Sequence, residues 1–160
     1  MKKYGVMIVG TGWVSGEHIR AFEMNEYAEV RAIVSRSYEK GRAKADEYHL
    51  GERCKVYTDY DEGLKDPDVD IVVICTPNDM HCEQTIKAAR AHKHILLEKP
   101  VALTWEDTLR MDKAVREAGV KTLVGYVLHY NPLFMDAKKL QKDFIGKLTY
   151  AETDYFHRVT

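Results

Sequence analysis

The chain has 160 residues, 45% of them hydrophobic and 31% charged, with a formal net charge of −1 at pH 7. That length suits one domain of ordinary size, which can bury roughly 70% of its unfolded surface around a true core. Near-zero net charge and the lack of a long lysine/arginine run argue against nucleic acid or an anionic membrane surface as partner; Lys2-Lys3 and Lys138-Lys139 read as solvated surface.

The opening MKKYGVMIVGTGW has two lysines, but glycine interrupts its apolar run too early for a secretory leader or a membrane span. A cytoplasmic protein is the expectation. From there, β-branched apolar runs alternate with helical stretches. Residues 6–9, 30–35, 71–75, 94–97 and 121–124 read as strands, several of them apolar on both faces as buried parallel strands are. Val56-Tyr57 is a weaker candidate. Helices are expected over 13–24, 37–49, 79–91 and 104–118. The last opens with Thr104 and Asp107 as a capping-box variant and stops at Gly119, placed for a left-handed cap. Met111, Val115 and Ala118 mark its buried face. Strand and helix in such regular alternation imply an α/β fold, a doubly wound parallel (Rossmann) sheet over residues 1–124.

Beyond Gly125 the pattern changes. An irregular segment leads to a helix from near Pro132, and KLTYAETDYFHR then alternates as a strand does, with no partner after it. Residues 125–160 are therefore expected to be a crossover segment and the start of a truncated second α/β domain. No internal repeat or low-complexity segment appears.

Three cysteines without a CxxC, Cys54, Cys75 and Cys82, do not make a disulfide framework. Cys82 falls with Ile86 and Ala89 on one helical face, which marks it as core. The seven histidines show neither HxxxH nor HExxH spacing, and no metal site is expected.

The chemistry begins at Gly10-Thr11-Gly12-Trp13-Val14-Ser15, a G-x-G-x-x-S turn between the first strand and the first helix. In a dinucleotide-binding unit the first glycine makes the turn, the second lets backbone approach the pyrophosphate, and the third allows close helix packing. Phosphate oxygens then meet free N–H groups at the helix N-terminus. Serine in the third place is a departure, and Gly16 follows it. At the end of the second strand, where an NAD site usually carries a carboxylate for the ribose 2′-hydroxyl, Ser35 and Arg36 stand instead. An arginine fork suits a 2′-phosphate. Charge-assisted hydrogen bonds contribute roughly 1.5–3 kcal/mol each, enough to favour NADP(H) by about ten- to a hundredfold. NADP is thus slightly favoured over NAD, with Lys40 a further source of charge; the alternative is that Arg36 only stacks on the adenine.

After the fourth strand comes CTPNDMH, residues 75–81, and after the fifth comes EKP, residues 98–100. Together with GTGWVSGEHI and GYVLHYNP, these motifs resemble the glucose–fructose oxidoreductase / inositol dehydrogenase / rhizopine-catabolism (Gfo/Idh/MocA) family, over essentially the whole chain. The resemblance implies that Thr76, Pro77 and Asn78 line a cofactor channel, with His81 and Glu98 nearby. It implies that Lys99 is the active-site lysine, reaching the nicotinamide side and a substrate hydroxyl, next to a Lys–Pro bond that is often cis. Pro100 independently disfavours helix at Lys99, which places it in extended backbone at a strand end. An ammonium there stabilises developing negative charge and can relay a proton. Without the motif, Lys99 reads as a surface lysine paired with Glu98.

Tyr126 and Asn131 are weaker candidates for substrate or nicotinamide contact, and His129 stands where the family often has arginine. Family members run about as long again, into a domain that supplies an acid/base histidine and often mediates oligomerisation. His157 falls outside the order in which that histidine occurs. The expected function is hydride transfer between NAD(P) and a sugar, cyclitol or related polyol, in a homo-oligomer when full length. Two alternatives stay open: a dinucleotide-sensing regulatory protein without turnover, against which Lys99 speaks, and an NAD-dependent glycoside hydrolase relative.

Overall fold

The computed structural model describes residues 3–152 and 154. Six strands, β1 (Tyr4–Val9), β2 (Ala28–Val34), β3 (Lys55–Tyr57), β4 (Ile71–Ile74), β5 (His94–Leu97) and β6 (Thr122–Val124), pair in the order β3-β2-β1-β4-β5-β6. Every neighbouring pair is parallel. The crossings carry helices α1 (Trp13–Glu23), α2 (Tyr38–Glu47), α3 (Tyr60–Leu64), α4 (His81–Arg90) and α5 (Trp105–Ala118). This is the strand order of a Rossmann sheet, and the order reverses between β1 and β4.

Alternation along β1 divides the core. Val6 and Ile8 face Ile19 of α1 and Ala45 of α2, while Met7 and Val9 face Leu64 of α3, the α4 residues Cys82, Ile86, Ala88 and Ala89, and Met111 of α5. All four β1 side chains are at most 1% exposed. Each such burial contributes on the order of 1.5–3 kcal/mol, which is why the central strands are uninterrupted apolar runs.

Helix ends follow local chemistry. Thr104 caps α5 by accepting the Asp107 N–H at 3.1 Å, and Gly119 closes it at φ 66°. Val115 and Ala118 lie partly buried against the core beside buried Met111. Helix α2 ends at Glu47, two residues short of the expected bound. Helix α4 starts at His81, after a 3-10 turn over Asn78–Met80. Helix α3 was not expected; Asp59 caps it through the N–H groups of Asp61 and Glu62.

The chain divides into two compact units, Met1–Gly125 and Tyr126–Thr160. In the second, a 3-10 turn (Val127–Tyr130) precedes α6 (Pro132–Leu140), and a π turn (Gln141–Ile145) follows. None of its described residues is buried. The strand expected from residue 147 does not form over 147–152, because a strand needs a ladder partner and the described residues offer none; most of the rest of that stretch, His157 included, lies outside the described residues. No helix of the described residues is long and apolar enough to cross a membrane.

Candidate functional site

The carboxyl ends of β1, β2, β4, β5 and β6 converge on one edge of the sheet, the edge where open α/β sheets bind ligands. Gly10 leaves β1 at φ 103°, and a Cβ on it would stand 2.8 Å from the Cys75 carbonyl oxygen. Only glycine fits a turn that tight against β4. Gly12 differs: its φ is −68°, and a Cβ there would meet nothing within 4 Å. The space in front of Gly12 is open.

Gly12 is the N-cap of α1, yet it supplies no side-chain cap, and the first turn holds no acidic residue. The free N–H groups of that turn, with the helix dipole behind them, favour an anion. Ser15 is fully buried and its hydroxyl donates to the Gly12 carbonyl at 2.6 Å, so it stiffens the loop from within. Close helix packing is provided by the next residue: a Cβ on Gly16 would fall 2.1 Å from the Tyr48 hydroxyl. Thr11 and Val14 are half-buried, and Trp13 is 82% exposed.

At the end of β2, Ser35 is buried and its Oγ accepts the Ser37 N–H at 3.4 Å. Arg36 and Lys40 are exposed, and neither side chain has a hydrogen-bond partner among the described residues. One acid does stand here, Glu39 in the first turn of α2. Its carboxylate accepts the Ser37 hydroxyl at 2.6 Å, and that bond holds it below the usual glutamate value. It was missed because it lies in the helix, past the strand-end position that normally carries the carboxylate.

At the end of β4, the Thr76 hydroxyl donates to Gln84 Oε1 at 2.5 Å, so this side chain is turned to α4, whereas Pro77 and Asn78 are exposed. His81 is fully buried, with Nδ1 2.8 Å from the Pro100 carbonyl oxygen and Nε2 3.1 Å from that of Thr76. Either neutral tautomer donates to one of the two. The ring therefore ties the β4 loop to the β5 loop and is not exposed to a ligand.

Glu98, at the end of β5, meets His18 of α1, with Nε2 2.8 Å from Oε1. His18 is the second residue that sequence reasoning passed over, since its partner is 80 positions away. The Glu98 carboxylate lies across the end of β6, where a Cβ on Gly125 would come within 3.2 Å of it. Cys75 is close enough to feel it: burial pushes that thiol up to about 12, and the Glu98 charge adds to the effect. The Lys99–Pro100 bond is cis, and Lys99 is exposed with no side-chain partner among the described residues. The surface pair of Lys99 with Glu98 does not form.

Tyr126 and Asn131 belong to the second unit. Tyr126 is 53% exposed, and Asn131 spends its side-chain oxygen on the Leu133 N–H at the start of α6.

Comparison with known proteins agrees with this geometry. The model of the "Oxidoreductase family, NAD-binding Rossmann fold" (Gfo/Idh/MocA) matches residues 4–126. The 2,7-anhydro-N-acetylneuraminate hydratase of Mediterraneibacter gnavus is 36% identical over 154 residues, 96% of this chain and 40% of that protein. The 1,5-anhydro-D-fructose reductase of Ensifer adhaerens is 45% identical over 116 residues, 72% of this chain and 32% of that protein. Among solved structures, an NAD-binding protein from Listeria innocua superposes with a TM-score of 0.79 at 32% identity, covering 91% of this chain and 42% of its own. The chain thus spans well under half the length of these relatives. It belongs to the Gfo/Idh/MocA oxidoreductase family, with an NAD-binding Rossmann fold.

Proposed function

We propose that this chain is the cofactor-binding portion of an NAD(P)-dependent oxidoreductase acting on a sugar, cyclitol or related polyol. The observation that carries the reading is the glycine turn at the point where strand order reverses. Gly10 is forced into a positive φ against Cys75, and Gly12 leaves open space before the uncapped N-terminus of α1. A pyrophosphate fits that cradle in charge and in room.

When bound, the nicotinamide supplies hydride acceptance and donation; the chain's residues do the rest. The N–H groups of the α1 first turn hold the pyrophosphate. Arg36 and Lys40 would take the adenosine ribose end and favour a 2′-phosphate there, with Glu39 opposing them, which makes the preference for NADP(H) a modest one. Pro77 and Asn78 flank the channel, while Thr76 and His81 shape it from behind. Lys99 would donate to the substrate oxygen, stabilise negative charge developing there and, when a carbonyl is reduced, give that oxygen its proton, regaining one from the solvent to which it is exposed. Residues 1–124 are the dinucleotide domain, and 125–160 lead toward a substrate and oligomerisation domain.

The test is a titration of the chain with NADPH and NADH, following emission of exposed Trp13 in a Trp105→Phe background. Saturable quenching by both, tighter for NADPH, is expected. Binding of neither at millimolar concentration overturns the reading.

The relative named as a hydratase favours a second reading, in which the dinucleotide returns to its starting state and the net reaction adds or removes water. Turnover without net reduced nucleotide distinguishes it.

A further inference from the structure

One carboxylate joins the glycine-loop helix to the lysine segment. His18 Nε2 and Glu98 Oε1 are 2.8 Å apart, with side chains only 18% and 13% exposed. An ionised carboxylate only accepts, so the ring N–H is the donor. The second oxygen, Oε2, accepts the backbone N–H of Lys99 at 3.3 Å. At the other side of Lys99, the Pro100 carbonyl oxygen lies 2.8 Å from Nδ1 of buried His81. Lys99 therefore stands between two backbone anchors, while its own ammonium has no partner among the described residues. A lysine beside a glutamate ordinarily pairs with it. Here His18 holds Oε1 and the Lys99 backbone N–H holds Oε2, and Gly125, lacking a side chain, leaves the carboxylate room to lie toward α1.

We propose that His18 is a positioning residue: through Glu98 it fixes the Lys99 backbone against the glycine-loop helix and keeps the carboxylate from capturing the Lys99 ammonium. This rests on the reading that Lys99 faces the bound dinucleotide. His18 touches neither the cofactor nor the substrate in this role. Its effect on binding must pass through Lys99.

The experiment uses His18→Leu, which removes the donor, and His18→Gln, which keeps one. Amide hydrogen exchange is measured along the sheet, and NADPH and NADH affinities are measured in the wild-type and Lys99→Met backgrounds. His18→Leu is expected to speed exchange at the Lys99 amide about tenfold, the effect of losing one hydrogen bond to a charged group, with the Val72 and Ile74 amides unmoved. It is expected to weaken dinucleotide binding severalfold in the wild-type background and hardly at all in Lys99→Met, because coupled residues are not additive. His18→Gln restores both. Exchange that rises evenly across the sheet marks a merely structural role and overturns the proposal. Equal weakening in both backgrounds, or none in either, does the same. Should His18→Leu fail to fold, Glu98→Gln, which keeps the shape and removes the charge, is read by the same measurements. If the wild-type chain binds neither dinucleotide, the functional reading fails, and the exchange data alone judge the clamp.

Discussion

Substituting alanine at Gly10 and at Gly12 separates what the glycine loop does for the fold from what it does for a ligand. At Gly10, φ is 103° and the new Cβ would stand 2.8 Å from the backbone oxygen of Cys75, the residue that follows β4. The backbone conformation alone costs about 1–3 kcal/mol in an L-residue, and the overlap with Cys75 adds on the order of another 1 kcal/mol, since neither strand can give way. For a chain of this size that is a fall in Tm of roughly 4–15 °C. At Gly12 the backbone is ordinary and the Cβ meets nothing, so stability changes only by the cap difference, about 0.5–1 kcal/mol. Its effect falls on binding: the Cβ occupies the space a pyrophosphate needs, and dinucleotide affinity drops at least about tenfold by loss of phosphate contacts to backbone N–H groups. Thermal denaturation and the tryptophan titration measure the two effects on the same samples. A Gly12→Ala protein that binds NADPH as wild type does would refute the approach of phosphate to this residue. A Gly10→Ala protein with unchanged Tm would refute the argument from backbone strain.

Further outcomes follow from the same structure. Arg36→Ala is expected to weaken NADPH binding about ten- to a hundredfold with little change for NADH, and Glu39→Gln to strengthen NADPH alone, both read by the same titration. Asp66→Asn breaks a network in which a buried carboxylate accepts from Lys55 at 3.0 Å, Tyr57 at 2.9 Å and the Asp68 N–H at 3.0 Å. With Lys55 half exposed, the expected loss is about 1–3 kcal/mol by urea denaturation. Burial works to raise the Asp66 carboxyl, but the Asp68 N–H, Lys55 and Tyr57 outweigh it and hold it below the ordinary 3.8. Its contribution is therefore complete above that value and disappears as pH falls through the lower folded-state value; Asp66→Asn flattens the acid limb of the stability profile. Thr104→Ala removes the cap of α5 and costs about 1 kcal/mol.

The sheet was legible because parallel strands buried on both faces must be unbroken apolar runs, and Val6 to Val9 or Ile71 to Ile74 admit little else. Glycine and proline at the strand ends marked the site for the same reason: they serve backbone geometry, which is local. What escaped was either too short or too distant. Helix α3 is five residues long with Gly63 in it, too brief for periodicity to register. The His18–Glu98 bond joins residues far apart in sequence, and nothing near either one announces the other. Glu39 was passed over because it lies in α2, beyond the strand-end position that normally carries the carboxylate, and only its hydrogen bond to Ser37 brings it back toward the end of β2. Over residues 147–152 the alternation is a strand pattern with no ladder among the described residues, and pattern alone does not make a strand.

The most direct measurement is the change in backbone amide resonances of the chain on adding NADPH. The shifts are expected at Gly10 through Ser15, at Ser35 to Ser37, at Thr76 and Asn78, and at Glu98 and Lys99, the ends of four strands on one edge. Shifts confined to the polar groove of Arg90, His92, Arg110 and Lys113 between α4 and α5, or no shifts at all, would contradict a dinucleotide site at the glycine turn.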